Sequence, residues 1–355
     1  MTSEERREAR YQRRRKRRQA KREARSAALG PIEKVFSYRS MYFYGKKCCN
    51  GVRWKQSTQN FERHLFSGTA KRRRRVLDGK WKPGKTAKFT LRERGKVRPI
   101  DAPHINDRQI HKVLTKKVLA PLYGPGMIYD NGASQKGKGL HFHYKRLKKH
   151  LRDHYKQYGL QGAVFLMDFH HFFPAAPHAL IYERHQKLIL DPRIRAVADA
   201  IVTAVPGDRG MMLGVEPSQQ EMVSLPSALD NYIKAQLRIH GAGHYMDDYD
   251  AILESMKRAE EVRDDVIQRA EAMGLIVNRN KSKIVDISKP FRFCKAKFQL
   301  TDTGRVITHG CRDGMKRARR KLRLFQARVA SGEMTVEQVA QWLQTPISYY
   351  ENFND

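Results

Sequence analysis

Three aspartates carry the most specific chemistry in this sequence: Asp168, Asp247 and Asp248. The last two are neighbours inside His244-Tyr245-Met246-Asp247-Asp248-Tyr249-Asp250-Ala251-Ile252-Leu253. Apolar flanks around a short polar pair predict a tight β-hairpin with the acids at its turn. Successive side chains on a strand point to opposite faces, and a turn relaxes that rule so that both acids can face one cation. Two carboxylates held together repel, and a divalent ion is the usual compensation. Taken alone, the pair reads as a solvated turn, where Asp is common. A third carboxylate changes that reading.

Asp168 closes Ala163-Val164-Phe165-Leu166-Met167, a continuous apolar run of the kind that forms a strand covered on both faces. An acid ending a buried strand is costly unless it is paired or ligates a metal. Three carboxylates from two adjacent strand ends can hold two Mg2+ ions, which prefer oxygen ligands and leave positions for phosphate. Mn2+ can substitute. His170 and His171 follow closely, but Mg2+ disfavours imidazole, so they are expected at the surface or facing nucleic acid.

The elements around the acids are legible too. Lys88 to Arg92 and Lys96 to Ile100 alternate across Glu93-Arg94-Gly95, a hairpin signature. A helix is expected from about Asp107 through Lys117. Gly132 to Gly139 is a glycine-rich loop opening a basic helix that holds Lys145, Arg146, Lys148 and Lys149. No Gly-Lys-Ser/Thr closes that loop, so it is not an ATP-type P-loop, and a template-strand contact is expected instead. Ser218-Gln219-Gln220-Glu221 has the form of a capping box, predicting a helix from there to about Leu237 with a kink at Pro226.

With these motifs in order, the sequence resembles the bacterial reverse transcriptases, the group that includes retron, group II intron, diversity-generating and phage-defence enzymes. Asp168 matches polymerase motif A, and Tyr245-Met246-Asp247-Asp248 matches the YxDD box of motif C. The resemblance covers roughly residues 85 to 330. It implies an α+β, right-hand polymerase fold with fingers, an antiparallel palm sheet and a short helical thumb. The implied layout is a basic arm over 1–30, fingers over 31–160, palm over 161–300 and thumb over 301–355. In the thumb, a basic helix from Met315 to Val329, a second capped by Thr335 and Gln338, and a third from Pro346 are expected.

Site roles follow from the same resemblance. Asp168, Asp247 and Asp248 would be metal ligands and catalytic, with Lys281 as candidate proton donor to the pyrophosphate. Lys96 and Arg98 match positions that contact the incoming triphosphate; Phe169, Gly214, Ser218 and Gln219 would also line the nucleotide. Phe173 matches the aromatic gate that leaves no room for a ribose 2′-OH, while one of Phe172 and Phe173 is expected to be core. Many relatives carry Gln before the motif B glycine and Pro after its serine. Leu213 and Gln219 stand there instead, a form that resembles diversity-generating and unassigned phage-defence enzymes.

Composition agrees with a polyanionic partner. The 355 residues hold 71 Lys and Arg against 36 Asp and Glu, a formal charge of +35. Arg72, Arg73 and Arg74 in one charge run, and Lys145, Lys148 and Lys149 in another, are candidate nucleic-acid contacts. Expected partners are an RNA template, with a dedicated non-coding RNA in a phage-defence or related prokaryotic element, a DNA primer or product, and dNTPs. The four cysteines, Cys48, Cys49, Cys294 and Cys311, show no paired spacing for zinc or a disulfide framework. No apolar run reaches membrane-span length, and a reducing cytoplasm is expected. Two other readings remain open from sequence: template-independent nucleotide addition, and a structural RNA-binding protein without chemistry.

Overall fold

A computed structural model describes residues 2–93, 96–310 and 312–351. The chain divides into two compact units: Met1–Ile128 with His170–Asn231 and Arg269–Ile276, and Tyr129–Phe169 with Tyr232–Gln268 and Val277–Asp355. Helices and antiparallel sheets are mixed throughout the described residues.

The first unit is mainly helical. Helix α1, Ser3–Leu29, is capped by Thr2: the Thr2 hydroxyl accepts from Glu5 N–H and the Glu5 carboxylate accepts from Thr2 N–H. The helices Tyr38–Cys48, Gln56–Arg63 and Leu65–Leu77 follow. Apolar side chains of Tyr38–Cys48, Leu65–Leu77 and Ile105–Leu114 join one core that includes Phe36, Met41, Val76, Ile110, Leu114 and Ile201, while Phe61 of Gln56–Arg63 packs in a smaller cluster with Cys48, Leu65 and Ile105. Strands β1, Ala87–Glu93, and β2, Lys96–Ala102, form the expected antiparallel hairpin. Phe89, Leu91 and Val97 on it are all exposed, so the ribbon presents apolar surface on which little is packed.

The second unit holds two sheets. Strands β3, Ala163–Asp168, β4, Ala242–Tyr245, β5, Asp248–Leu253, and β6, Lys283–Asp286, form an antiparallel sheet in the order β4-β5-β3-β6. Every residue of β3 is buried, as its continuous apolar run requires. The Leu140–Tyr158 helix covers the sheet with Tyr144, Leu147 and Leu151 against Val164, Leu166 and Ile252. Strands β7, Phe291–Phe293, β8, Ala296–Leu300, and β9, Val306–Gly310, form the second sheet. Its inner face buries Phe291, Phe293, Phe298 and Val306 while Arg292, Lys297 and Gln299 point outward.

Three boundaries differ from the sequence expectation. The helix predicted from Ser218 begins at Glu216, with Pro217 in its first turn, so Ser218 lies inside the helix and its buried hydroxyl has no hydrogen-bond partner among the described residues. Proline is tolerated in a first turn because its missing N–H has no intrahelical acceptor there, and this moves the start upstream. The expected kink at Pro226 is a break, with the helix ending at Ser224 and resuming over Ser227–Asn231. In the C-terminal region Arg312–Ala330 is helical and Thr335 caps the next helix as expected, but that helix runs unbroken from Val336 to Glu351 through Pro346.

Candidate active site

The carboxylate site lies within the second unit and is built by strand register. Asp168 ends β3 and Asp248 begins β5, and the two are direct partners across the antiparallel ladder. Opposed residues in such a ladder project on the same face, so both carboxylates leave the sheet together. Tyr245 on β4 is the other partner of Asp248, which leaves Met246 and Asp247 as the turn. Met246 takes φ of 59°, the left-handed region that a side-chain-bearing residue adopts at a cost of roughly 1 kcal/mol or more. That strain sits at the hairpin tip that presents Asp247. The tip is tied down by Phe169 N–H, which donates to the Asp247 carbonyl at 3.1 Å.

Electrostatics of the cluster are those of crowded acids. Burial, then the neighbouring Asp247 and Asp168 charges, push the Asp248 carboxyl up to about 7, against smaller opposing effects of the Cys294 thiol and Lys281. Cys294 Sγ lies 3.5 Å from Asp248 Oδ2, and burial pushes its thiol well above the ordinary range. Lys281 supplies the local cation: its Nζ donates to Asp168 Oδ1 at 2.9 Å and to Oδ2 at 3.0 Å. Asn278 adds two bonds, its side chain to Asp168 Oδ1 at 3.0 Å and its backbone N–H to the Asp168 carbonyl at 2.8 Å.

The donor set is oxygen-only and anionic, which suits a hard divalent cation. Among the described residues no three His, Cys, Asp or Glu side chains converge closely enough to form a ready metal cage. At Asp168 the Lys281 ammonium spans both carboxylate oxygens. His170 and His171 are exposed, as expected.

Behind the hairpin, Asp250 is buried and paired with His143 Nε2 at 2.6 Å. The His143 ring also stacks on Phe293 at 4.7 Å between centroids. Sequence reading missed this pair, as it missed Asn278 and Cys294. Asn278, three residues before Lys281 in one turn, was the only one with a local signal.

The residues expected at the nucleotide fall mostly in the first unit. Asp101 N–H donates to the Leu213 carbonyl at 2.8 Å, which stitches the end of β2 to the loop holding Gly214. Gly214 has φ of 109°, and a Cβ there would lie 3.0 Å from the Asp101 carbonyl oxygen and from Ile100 Cγ2. This is a position where glycine is required for close approach. Phe172 is buried and Phe173 half-buried, their rings edge to face at 6.2 Å. The Phe173 carbonyl accepts from Met211 N–H at 2.9 Å. Arg98 and Gln219 are exposed; the Lys96 side chain lies outside the described residues. Phe169, in the second unit, has its ring buried against Tyr249, so only its backbone is available to a nucleotide.

The charge runs divide. Arg72 is turned inward: its Nε donates to Gln109 at 2.5 Å, its Nη1 to Asn106 at 2.9 Å, and its guanidinium lies over Phe61. Arg73 donates to the Phe36 carbonyl at 3.0 Å. Both therefore serve packing of the helices, whereas Arg74 is exposed beside Asp78. Lys145 and Lys149 are exposed on the Leu140–Tyr158 helix, Lys148 half-buried. Cys48, Cys49 and Cys294 are free thiols, and Cys311 lies outside the described residues. No described helix is long and apolar enough to cross a membrane.

Two acids thus face each other across the β3–β5 ladder, and the Lys281 ammonium sits on Asp168. The model of the reverse transcriptase (RNA-dependent DNA polymerase) family matches residues 82–294, and the chain belongs to that family. Its members are RNA-directed DNA polymerases, a class of nucleotidyltransferase. Similar solved structures include telomerase from Candida albicans in complex with a fragment of telomeric RNA, at 11% identity and a TM-score of 0.48, covering 66% of this chain and 48% of that one. Apo telomerase from Candida tropicalis, truncated of its C-terminal domain, is similar at 12% identity and a TM-score of 0.47, covering 62% and 54%. The chain thus spans about half the length of these two proteins. No curated protein sequence gives a significant match.

Proposed function

We propose that this chain copies RNA into DNA at the Asp168, Asp247 and Asp248 cluster. The observation that carries the reading is the cross-strand pairing of Asp168 with Asp248, with Asp247 on the intervening turn. Two divalent cations, Mg2+ or Mn2+, would be held by these three carboxylates and would activate the primer 3′-OH and bind the triphosphate. Asp168 and Asp247 would each contribute to holding the ions, and Asp248 would complete the set. Lys281, released from Asp168, would give a proton to the departing pyrophosphate. Arg98 and Lys96 on the β1–β2 hairpin hold the triphosphate, Arg in bidentate geometry. Phe173 acts as the sugar gate, with Gly214, Ser218 and Gln219 shaping the base-pair side.

A right-hand layout of fingers, palm and short thumb accommodates these roles. In the second unit a cleft of about 1110 Å3 is lined by Arg292, Lys297, His309, Arg312, Arg319 and Tyr350 among others. Its basic and aromatic lining suits the primer strand. Lys145, Lys148 and Lys149 take template phosphates. The Gly214-x-x-x-Ser218-Gln219 form supports a bacterial or phage lineage, acting with a dedicated RNA in defence or a related element.

The test is primer extension with Mg2+ and dNTPs on an RNA template. Asp247→Ala should abolish incorporation while RNA binding persists. Full polymerisation by that variant removes this reading.

A further inference from the structure

Helix α1 carries twelve basic residues, ten of them Arg, against four Glu. It is anchored at its C-terminal end. Ser26 is its one buried residue, and the Ser26 hydroxyl accepts from Leu190 N–H at 2.9 Å. Leu29 packs on the core of the same unit, and Gly30 then ends the helix. Everything from Arg13 to Lys21 is exposed. Among the described residues, Arg14, Arg15, Lys16, Arg17 and Arg18 have no acidic partner within ion-pair distance.

Such a helix is unfavourable by itself. Arg13 with Arg17, Arg14 with Arg18, and Arg17 with Lys21 are like charges one turn apart, each pair destabilising by a few tenths of a kcal/mol. It has no apolar stripe to bury. Its charges are not on one face either: successive residues step about 100° round the axis, so the run from Arg13 to Arg18 encircles the helix. A single phosphate strand neutralises one side only. Phosphates on two sides are found in the groove of a duplex. A guanidinium majority favours recognition of phosphate pairs and base edges over a diffuse lysine charge.

We propose that α1 is an arm, about 40 Å long as a helix, that enters the major groove of a bulged RNA duplex. In A-form RNA that groove is deep and narrow, and a bulge opens it. The preference for RNA over DNA rests on the reverse transcriptase reading; insertion into a groove does not. The arm would thereby fix a structured RNA to the protein independently of the strand being copied.

Full-length protein is titrated by fluorescence anisotropy, over a salt series, with a bulged RNA duplex, a B-DNA duplex of equal length and an RNA single strand. The informative variant is Ala20→Pro. Ala20 is exposed, and the substitution breaks the helix while keeping every charge. Wild type should prefer the bulged RNA duplex, and Ala20→Pro should lose at least about tenfold on it, as for a few lost phosphate contacts, with single-strand binding unchanged. Changing Arg14, Arg15, Arg17 and Arg18 together to Lys should weaken the bulged duplex with the salt slope intact. Wild-type affinity in Ala20→Pro, or equal binding of the DNA duplex, overturns the proposal. Primer extension on an unstructured template reports separately on the polymerase, and both variants should retain it.

Discussion

Lys281 bridges both carboxylate oxygens of Asp168, at 2.9 and 3.0 Å, and its charge is also felt at Asp248. It therefore has two jobs to separate: balancing charge, and moving a proton. The ammonium is about half exposed, so losing the pair should cost under about 1 kcal/mol of stability. Lys281→Met should slow incorporation by about a hundredfold, the lower end of what a general acid contributes, with little change in dNTP KM. Lys281→Arg keeps the charge on Asp168 but gives up no proton near neutral pH. It should preserve the melting temperature and lose the rate. Full activity in Lys281→Arg would make this lysine a counter-ion alone.

Stability should fall on the alkaline side through His185. Its ring is buried, bonded by Nδ1 to Asp199 at 2.6 Å and by Nε2 to Glu221 at 2.9 Å. Burial alone would lower its pKa, but Glu221 and Asp199 together raise it to about 9 from 6.5. A folded pKa above the unfolded one gives stability that is complete below about pH 6.5 and is lost as pH rises through about 9. The contribution is on the order of 3 kcal/mol. Urea midpoints measured at pH 6 and pH 9.5 should show this loss in wild type, and His185→Gln should flatten it. A wild-type midpoint that does not move would mean the imidazole is neutral.

Gly214→Ala tests the stitch between β2 and the motif B loop. The new Cβ would meet the Asp101 carbonyl at 3.0 Å in a backbone conformation with φ of 109°. Strain of roughly 1–3 kcal/mol is expected. Melting temperature should drop, and dNTP KM should rise because the end of the hairpin that carries Arg98 is displaced. A rise in KM without any loss of stability would instead place Gly214 in direct contact with substrate.

The acids, their strands and the β1–β2 hairpin were legible because each rests on a local pattern. An all-apolar run ending in Asp168 reads as a buried strand with the acid at its end, and β3 is buried at all six positions. What pairs with those acids was not legible. Asn278 and Cys294 reach Asp168 and Asp248 from more than forty residues away in sequence, and no periodicity encodes that. Nor does a charge run reveal which members turn inward. Arg72 is claimed by Gln109 and Asn106 because buried amides need partners, while Arg74, two residues on, stays exposed. Capping chemistry misled at motif B, where Pro217 set the helix start upstream of Ser218.

Sugar selection turns on which of two adjacent phenylalanines is free. Phe172 is buried, so Phe172→Ala opens a cavity and should cost about 3–5 kcal/mol, lowering activity on dNTPs and rNTPs together. Phe173 is only half-buried, with its ring edge against Phe172 and its carbonyl fixed by Met211. Truncating it should leave the fold largely intact. If its free face lies beneath C2′, a ribose hydroxyl overlaps it, and a hard contact of that kind is worth more than the roughly 1–3 kcal/mol of one methylene in a forgiving pocket. Phe173→Ala should then raise rNTP incorporation by about two orders of magnitude, with less effect on dNTPs. The measurement is the rNTP/dNTP ratio of kcat/KM, taken beside the melting temperature. An unchanged ratio with a stable protein means the sugar is selected by a residue other than Phe173.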